Sequence, residues 1–239
     1  MQDILLRYDA DILKILHIIT GLGNGGAEKT LFRLIASETE NNHVVISLMD
    51  LGFYGERLRK LGYKVETLNM DPAQIRFGAL FSLLQLIKKI KPDVIQTWMY
   101  HADLFGGLIG LLAGVRFIYW GVRGPYNKSL TPLSTKIVVK MCSWLSNIVP
   151  LAIVSNSQHA IDAHIAVGYA KSRFVLIRNG YDVPIRAPGY SKAKIRGQLN
   201  LDKEKILFGM VARYDPYKDH ETLLIAFSGL TKLVQNICL

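Results

Sequence analysis

From Lys14 to Ile177, short runs rich in Ile and Val alternate with longer segments whose apolar residues recur at helical spacing. Strands that are apolar along their whole length are those buried on both faces. A sheet buried on both faces is parallel and is covered by its own crossover helices. The pattern predicts strands over Lys14–Thr20, His43–Met49, Tyr63–Leu68, Asp93–Trp98, Arg116–Val122, Leu151–Ser155 and Arg173–Ile177. Helices are predicted between them, near Ala27–Glu38, Tyr54–Leu61, Gly78–Ile90, Ala102–Ala113, Pro132–Ser146 and Ser157–Val167. These elements make a complete doubly wound, Rossmann-like α/β domain over residues 13–182. Residues 1–12, with Asp3, Asp9 and Asp11, read as a polar leader ahead of it.

Residues 183–204 hold Pro184, Pro188, Gly189 and the cations Lys192, Lys194 and Arg196, which suits a linker with a short helix. Lys205–Ala212 then restarts a strand, and Thr222–Leu233 is the helix after it. Roughly 40 residues with one strand and one helix cannot enclose a core of their own. Residues 205–239 are therefore expected to be the truncated start of a second domain.

Half the residues are apolar and 20% are charged, which implies a packed globular core rather than disorder. The net charge is +10 and is unevenly placed: residues 1–120 hold 13 Lys and Arg against 12 Asp and Glu, and 121–239 hold 16 against 7. A basic surface suits a phosphorylated substrate, an anionic membrane face or nucleic acid. Nucleic acid is disfavoured, because no zinc-finger spacing, aromatic RNP-like run or dense basic helix is present. Cys142 and Cys238 are the only cysteines and neither joins a CxxC or Cys/His cluster, so no disulfide framework or zinc site is expected. No basic n-region with a long apolar stretch opens the chain, which predicts a cytoplasmic protein.

Two segments bear on membranes. Leu104–Trp120 is apolar but is interrupted by glycines and Arg116, and it is read as a buried helix followed by a buried strand. Thr135–Val149 carries Lys136 and Lys140 four apart among apolar residues and Trp144. It suits either a helix packed on the sheet or one lying on a lipid surface.

Several loops carry candidate chemistry. Gly21-Leu-Gly23-Asn-Gly25-Gly26 follows the first strand and opens the first helix, a place where bare backbone and a helix N-terminus attract phosphate. Asp50 stands where the ribose-binding acid of a dinucleotide site would be, so an NAD-dependent oxidoreductase is one reading. Arg213 and Lys218, five apart in a strand-to-helix loop, can hold a diphosphate. Asn179-Gly180 reads as a turn in which Gly180 takes positive φ, with Asp182 beside it as a cap or contact. Arg123 and Lys128 follow the fifth strand and are candidates for an anionic acceptor.

The Gly-Gly-Ala-Glu tetrad at 25–28, the Asp93-Val-Ile-Gln-Thr-Trp segment with His101-Ala-Asp-Leu-Phe-Gly106, Val154-Ser-Asn-Ser-Gln-His, Ile177-Arg-Asn-Gly-Tyr-Asp182 and Val211-Ala-Arg213 with Lys218 follow in one order. Taken together, over about residues 13–230, this series resembles the family 4 glycosyltransferases, retaining enzymes of GT-B fold. The resemblance implies that the chain holds the acceptor-side domain and only the first strand-helix unit of the nucleotide-sugar domain. It implies that Gly23, Gly25 and Gly26 lie beside the donor diphosphate and that Arg213 and Lys218 clamp it. His101 would contact the transferred sugar, and Asn179 and Gly180 would lie near the hinge and the donor.

The implied donor is a UDP- or GDP-sugar and the implied acceptor is lipid-linked or a polysaccharide, with no cofactor and no catalytic metal. Three departures stand out: Ala212 replaces the usual Gly, Tyr181 the usual Ile or Val, and the family's Glu-x7-Glu pair occurs nowhere. The one Asp-x-Asp, Asp9-Ala10-Asp11, reads as surface charge rather than a metal site. Little or no transferase activity is expected of the chain as it stands. A non-catalytic module binding an anionic membrane, peripheral on the inner face of the cytoplasmic membrane, remains the third reading.

Overall fold

All seven predicted strands form, and they run parallel in one sheet. They are β1 (Lys14–Ile19), β2 (Asn42–Ser47), β3 (Lys64–Thr67), β4 (Val94–Trp98), β5 (Phe117–Val122), β6 (Ala152–Ser155) and β7 (Phe174–Leu176), in the spatial order β3-β2-β1-β4-β5-β6-β7. The computed structural model describes residues 12–70, 77–181, 191–202 and 204–239. It divides the chain into two units, 1–180 and 181–239.

The first unit's helices are α1 (Gly26–Ser37), α2 (Gly52–Lys60), α3 (Phe77–Ile90), α4 (Tyr100–Leu112), α5 (Leu133–Leu145) and α6 (Gln158–Ala166). Leu104–Trp120 is accordingly the rest of α4 followed by β5. Among the described residues no helix is long and apolar enough to cross a membrane.

The strands are apolar throughout because each is covered twice. Leu16, Ile18, Ile46, Ile95, Ile118 and Trp120 pack with Leu83, Ile87, Leu104, Val138 and Cys142 of α3, α4 and α5. On the other face, Ile19, Val45, Val65 and Trp98 pack with Leu31, Ile35, Tyr54 and Leu58 of α1 and α2. Each large aliphatic side chain so buried contributes about 1.5–3 kcal/mol. That outweighs the few tenths of a kcal/mol that β-branched residues cost or gain in local propensity. Gly114 at φ +87° and Gly168 at φ +102° follow α4 and α6, where a left-handed residue ends a helix and only glycine enters without strain.

The chain order reverses at one place. β1 pairs with β2 on one side and with β4 on the other, Leu16 facing both Val44 and Ile95. Such a switch point opens a crevice at the carboxyl ends of the two strands whose loops diverge.

The second unit holds α7 (Lys192–Gln198), β8 (Ile206–Leu207), α8 (His220–Thr231) and β9 (Ile237–Cys238). The strand expected over Lys205–Ala212 is only two residues long, and the sequence reading missed its parallel partner β9. The Ile206 and Phe208 amides donate to the carbonyls of Asn236 and Cys238. No described residue of this unit is buried, so it has no apolar layer to extend the pairing.

Candidate functional site

The loop after β1 is held from behind and bare in front. The Tyr54 amide donates to the Leu22 carbonyl at 2.8 Å. Gly52, at φ +54°, brings its backbone so close to Leu22 that a side chain there would collide with the Leu22 carbonyl group. Gly23 and Gly26 instead face open space, with nothing within 4 Å of where a Cβ would stand. Close packing of strand on helix therefore does not explain these two glycines. Gly25 caps α1 without a side-chain hydrogen bond. A methyl group on Gly25 would meet the Glu28 carboxyl, which is folded over the start of the helix.

The joint between β4 and α4 is strained. Met99 sits at φ +74° and ψ +159°, a region ordinarily left to glycine, and its amide donates to the Gly121 carbonyl at 3.0 Å. The strain sets α4 directly on the end of β4, with half-buried His101 in its first turn. Burial lowers the His101 pKa, so the ring is neutral at pH 7. A neutral imidazole has one donor and one acceptor nitrogen, which suits it to orient a hydroxyl group.

Two residues on, Asp103 is fully buried; its Oδ1 accepts from the Thr97 hydroxyl at 2.6 Å and from the Gly121 amide at 3.3 Å. Burial pushes its carboxyl up to about 8. At pH 7 Asp103 is a neutral tie between α4, β4 and β5 rather than a charge. Tyr100 ties the same turn to α6, its hydroxyl lying 2.9 Å from His164 Nε2.

Behind this edge runs a buried hydrogen-bond chain whose direction is set by its first member. The Trp98 indole N–H can only donate, and it does so to His17 Nδ1 at 3.3 Å. His17 must then donate from Nε2 to His43 Nδ1 at 3.0 Å, and His43 donates from Nε2 to the Glu38 carboxylate. Burial first, and His43 second, lower His17 to about 3, so it stays neutral. Burial raises the Glu38 pKa, but the hydrogen bonds from His43, Glu40 and Asn41 outweigh it and leave it lowered. The sequence reading missed this chain; its signal was a histidine amid the apolar residues of both β1 and β2.

Arg123 follows β5, and its guanidinium lies over the Trp98 ring, 4.6 Å from the centroid. Its Nη1 donates to Asn179 Oδ1, just beyond β7, at 3.1 Å. The structure thus places Gly23, Gly25, Gly26, His101, Arg123 and Asn179 along one edge, the carboxyl ends of β1, β4, β5 and β7. Gly180 follows Asn179 on that edge but corrects the reading of the turn: the segment is irregular and Gly180 does not take positive φ. The Ile177 amide carries the β7 pairing on to Ser155, so the chain leaves the sheet extended. Lys128 and Asp50 are both exposed, after β5 and β2 respectively. Asp182 and the Asp9–Asp11 pair lie outside the described residues. A shallow cavity of about 570 Å³, lined by Lys88, Lys91 and Arg116, lies at the opposite, amino-terminal edge of β4 and β5. Open α/β sheets bind ligands at the carboxyl edge, which sets this cavity apart from the candidate site.

In the second unit, Arg213 is 73% exposed and reaches Asp215 at 3.9 Å. Lys218 is exposed on a single 3-10 turn just before α8. The Asp219 side chain caps α8 by accepting from the Thr222 amide. Each cation is described within its own unit. Among the described residues no group of three or more His, Cys, Asp or Glu could hold a metal ion.

The model of glycosyltransferase family 4 matches residues 24–184, from the glycine loop to beyond Gly180. The chain belongs to glycosyltransferase family 4. An Escherichia coli UDP-Gal:alpha-D-GlcNAc-diphosphoundecaprenol alpha-1,3-galactosyltransferase is 28% identical over 148 residues, covering 59% of this chain and 37% of that protein. Among solved structures, Anabaena HepE in complex with UDP and glucose superposes with a TM-score of 0.73 at 21% identity, over 91% of this family 4 chain and 58% of HepE. A glycosyltransferase from Rickettsia africae gives 0.64 at 17% identity, over 93% and 59%. At these identities the superpositions speak for the Rossmann-like fold. The chain spans well under two thirds of the length of each of these proteins.

Proposed function

We propose that this family 4 chain serves the transfer of a sugar from a nucleotide-diphosphate sugar to a lipid-linked acceptor. The observation that carries the reading is the family match over 24–184, which takes in Gly25 and Gly26 of the glycine loop, His101 and the Asn179-Gly180 segment. The E. coli relative, named for a UDP-galactose donor and a diphosphoundecaprenol acceptor, and the UDP complex of HepE support a UDP-linked donor. In this reading the α1 loop lies beside the donor diphosphate and neutral His101 orients the sugar. Arg213 and Lys218 stabilise the negative charge that builds on the departing diphosphate. Transfer proceeds with retention of configuration, and no residue is assigned as nucleophile. In this reading the charge of Arg213 and Lys218, rather than a metal ion, meets the departing diphosphate.

We further propose that these 239 residues alone turn over slowly. Stabilising a leaving group requires cations held in place, and in the second unit Arg213 is exposed on irregular chain and Lys218 on a short turn. The test pairs calorimetry with a radiolabelled transfer assay using UDP-sugars and an isoprenoid-diphosphate-linked N-acetylglucosamine acceptor. Weak UDP-sugar binding, competed by UDP and reduced in His101→Ala, is expected, with turnover near background. Rapid turnover would overturn the second proposal. Binding of NADH but of no nucleotide sugar would overturn the first.

The exposed face of α5 supports a peripheral place on an anionic membrane. Leu133 and Trp144 of the helix are 73 and 68% exposed, and Ile148 in the turn after it is 73% exposed. Lys140 Nζ lies 5.6 Å from the Trp144 ring centroid. Apolar side chains that would enter the lipid interface thus stand beside cations that would meet its phosphates.

A further inference from the structure

Arg123 is a guanidinium placed as if for a ligand. It is half-buried, yet both of its contacts are neutral: the Trp98 ring beneath it and the Asn179 side-chain carbonyl beside it. Its Nε is buried without a hydrogen-bond partner. No carboxylate pairs with it among the described residues. A cation withdrawn from water in this way needs an anion to offset the loss of hydration.

The surroundings hold the group in position rather than neutralise it. Trp98 is fixed from behind by the chain through His17 and His43 to Glu38, so the ring under the guanidinium has one orientation. Asn179 takes up one N–H of the planar fork, leaving others for a second acceptor. A planar fork with free donors matches the oxygens of a phosphate.

Position separates this group from the glycine loop. The loop follows β1 and Arg123 follows β5, with β4 between them. At about 4.8 Å per strand the backbones of the two loops leave the sheet about 10 Å apart. The Arg123 guanidinium lies over the ring of Trp98, the residue that ends β4, and comparing UDP with a lipid diphosphate decides which phosphate it meets. A sugar oriented by His101, at the end of the intervening β4, fits between them.

Resting on the glycosyltransferase reading, we propose that Arg123, seated on Trp98 and tied to Asn179, binds a phosphate of the acceptor, a lipid-linked diphosphate, and not that of the donor. Lys128 is exposed farther along the same loop.

The test is calorimetric titration of the 239-residue chain with inorganic pyrophosphate, farnesyl diphosphate below its micelle concentration, and UDP. Wild type is compared with Arg123→Ala, Arg123→Lys and Asn179→Ala, each checked for its thermal unfolding midpoint. Loss of the charge-assisted hydrogen bonds is expected to weaken farnesyl diphosphate and pyrophosphate about tenfold or more in R123A. The same variant should leave UDP within about twofold. R123K should fall between, since it keeps the charge and loses the fork. N179A, which keeps the guanidinium, should show a smaller effect in the same direction and serves as the measure if R123A does not fold. Unchanged diphosphate affinity in R123A and N179A, an equal loss for UDP, or no diphosphate binding by wild type would each overturn the proposal. Diphosphate binding through Arg123 with no binding of any UDP-sugar would instead tell against the transferase reading alone.

Discussion

Asp103 carries a proton in the folded chain that the unfolded chain releases near pH 4, because burial pushes its carboxyl up to about 8. Between those values the folded state binds more protons, so stability falls as pH rises. His17 works the other way: lowered to about 3 by burial, it makes stability rise with pH up to its unfolded value of about 6.5. His101 and His164, also lowered by burial, have the same sign as His17. The histidine effects fade between about pH 6.5 and 7.5, above which Asp103 acts alone. Urea unfolding should show wild-type stability changing with pH less favourably than that of Asp103→Asn between pH 6.5 and 8, the two slopes differing by up to about 1.4 kcal/mol per pH unit. Equal slopes in the two proteins would mean that Asp103 is ionised in the fold. The glycine loop and His101 were legible in the sequence, because each sits beside the strand that presents it. The Trp98–His17–His43 chain was not: its members are 81 and 26 residues apart and meet only through the register of β1, β2 and β4.

At the scale of elements, boundaries were read to within two residues for the seven strands and six helices of the first unit, since double-sided burial writes itself as continuous apolar runs. What the runs could not reveal is why α4 is rich in glycine. A Cβ on Gly107 would come within 2.7 Å of the Trp120 ring, and one on Gly110 within 2.8 Å of Ile95 Cδ1, so the helix lies against the sheet at glycine distance. α5 makes the opposite use of its outer face, where Leu133, Ile137 and Trp144 stand in solvent, with Ile148 exposed just beyond it. Liposome co-sedimentation should rise with the fraction of phosphatidylglycerol, each lysine at the surface contributing about 1 kcal/mol. Trp144→Glu should cut the bound fraction severalfold. Binding indifferent to lipid charge would remove the membrane from the account.

At the scale of the molecule, the two units differ in kind. The first has two buried layers on either side of its sheet, and in the second no described residue is buried. Native-state hydrogen exchange should therefore separate them: amides of β1, β2 and β4 exchange only on global unfolding, those of α8 orders of magnitude faster. A single exchange regime across the chain would show the second unit to be as tightly held as the first. The two-residue extent of β8 was not legible in the sequence, because strand length there depends on a neighbour rather than on local pattern.

The reversal of strand order that opens the crevice also has a kinetic meaning. The Leu13–Asn41 hydrogen bond beside β2 joins residues 28 apart, whereas the Lys14–Asp93 bond beside β4 joins residues 79 apart. Closing the longer loop costs about 1 kcal/mol more in chain entropy. The half-sheet β3-β2-β1 can assemble from near neighbours, and β4 must be fetched from afar. The folding chain thus acquires a sheet before it acquires a crevice.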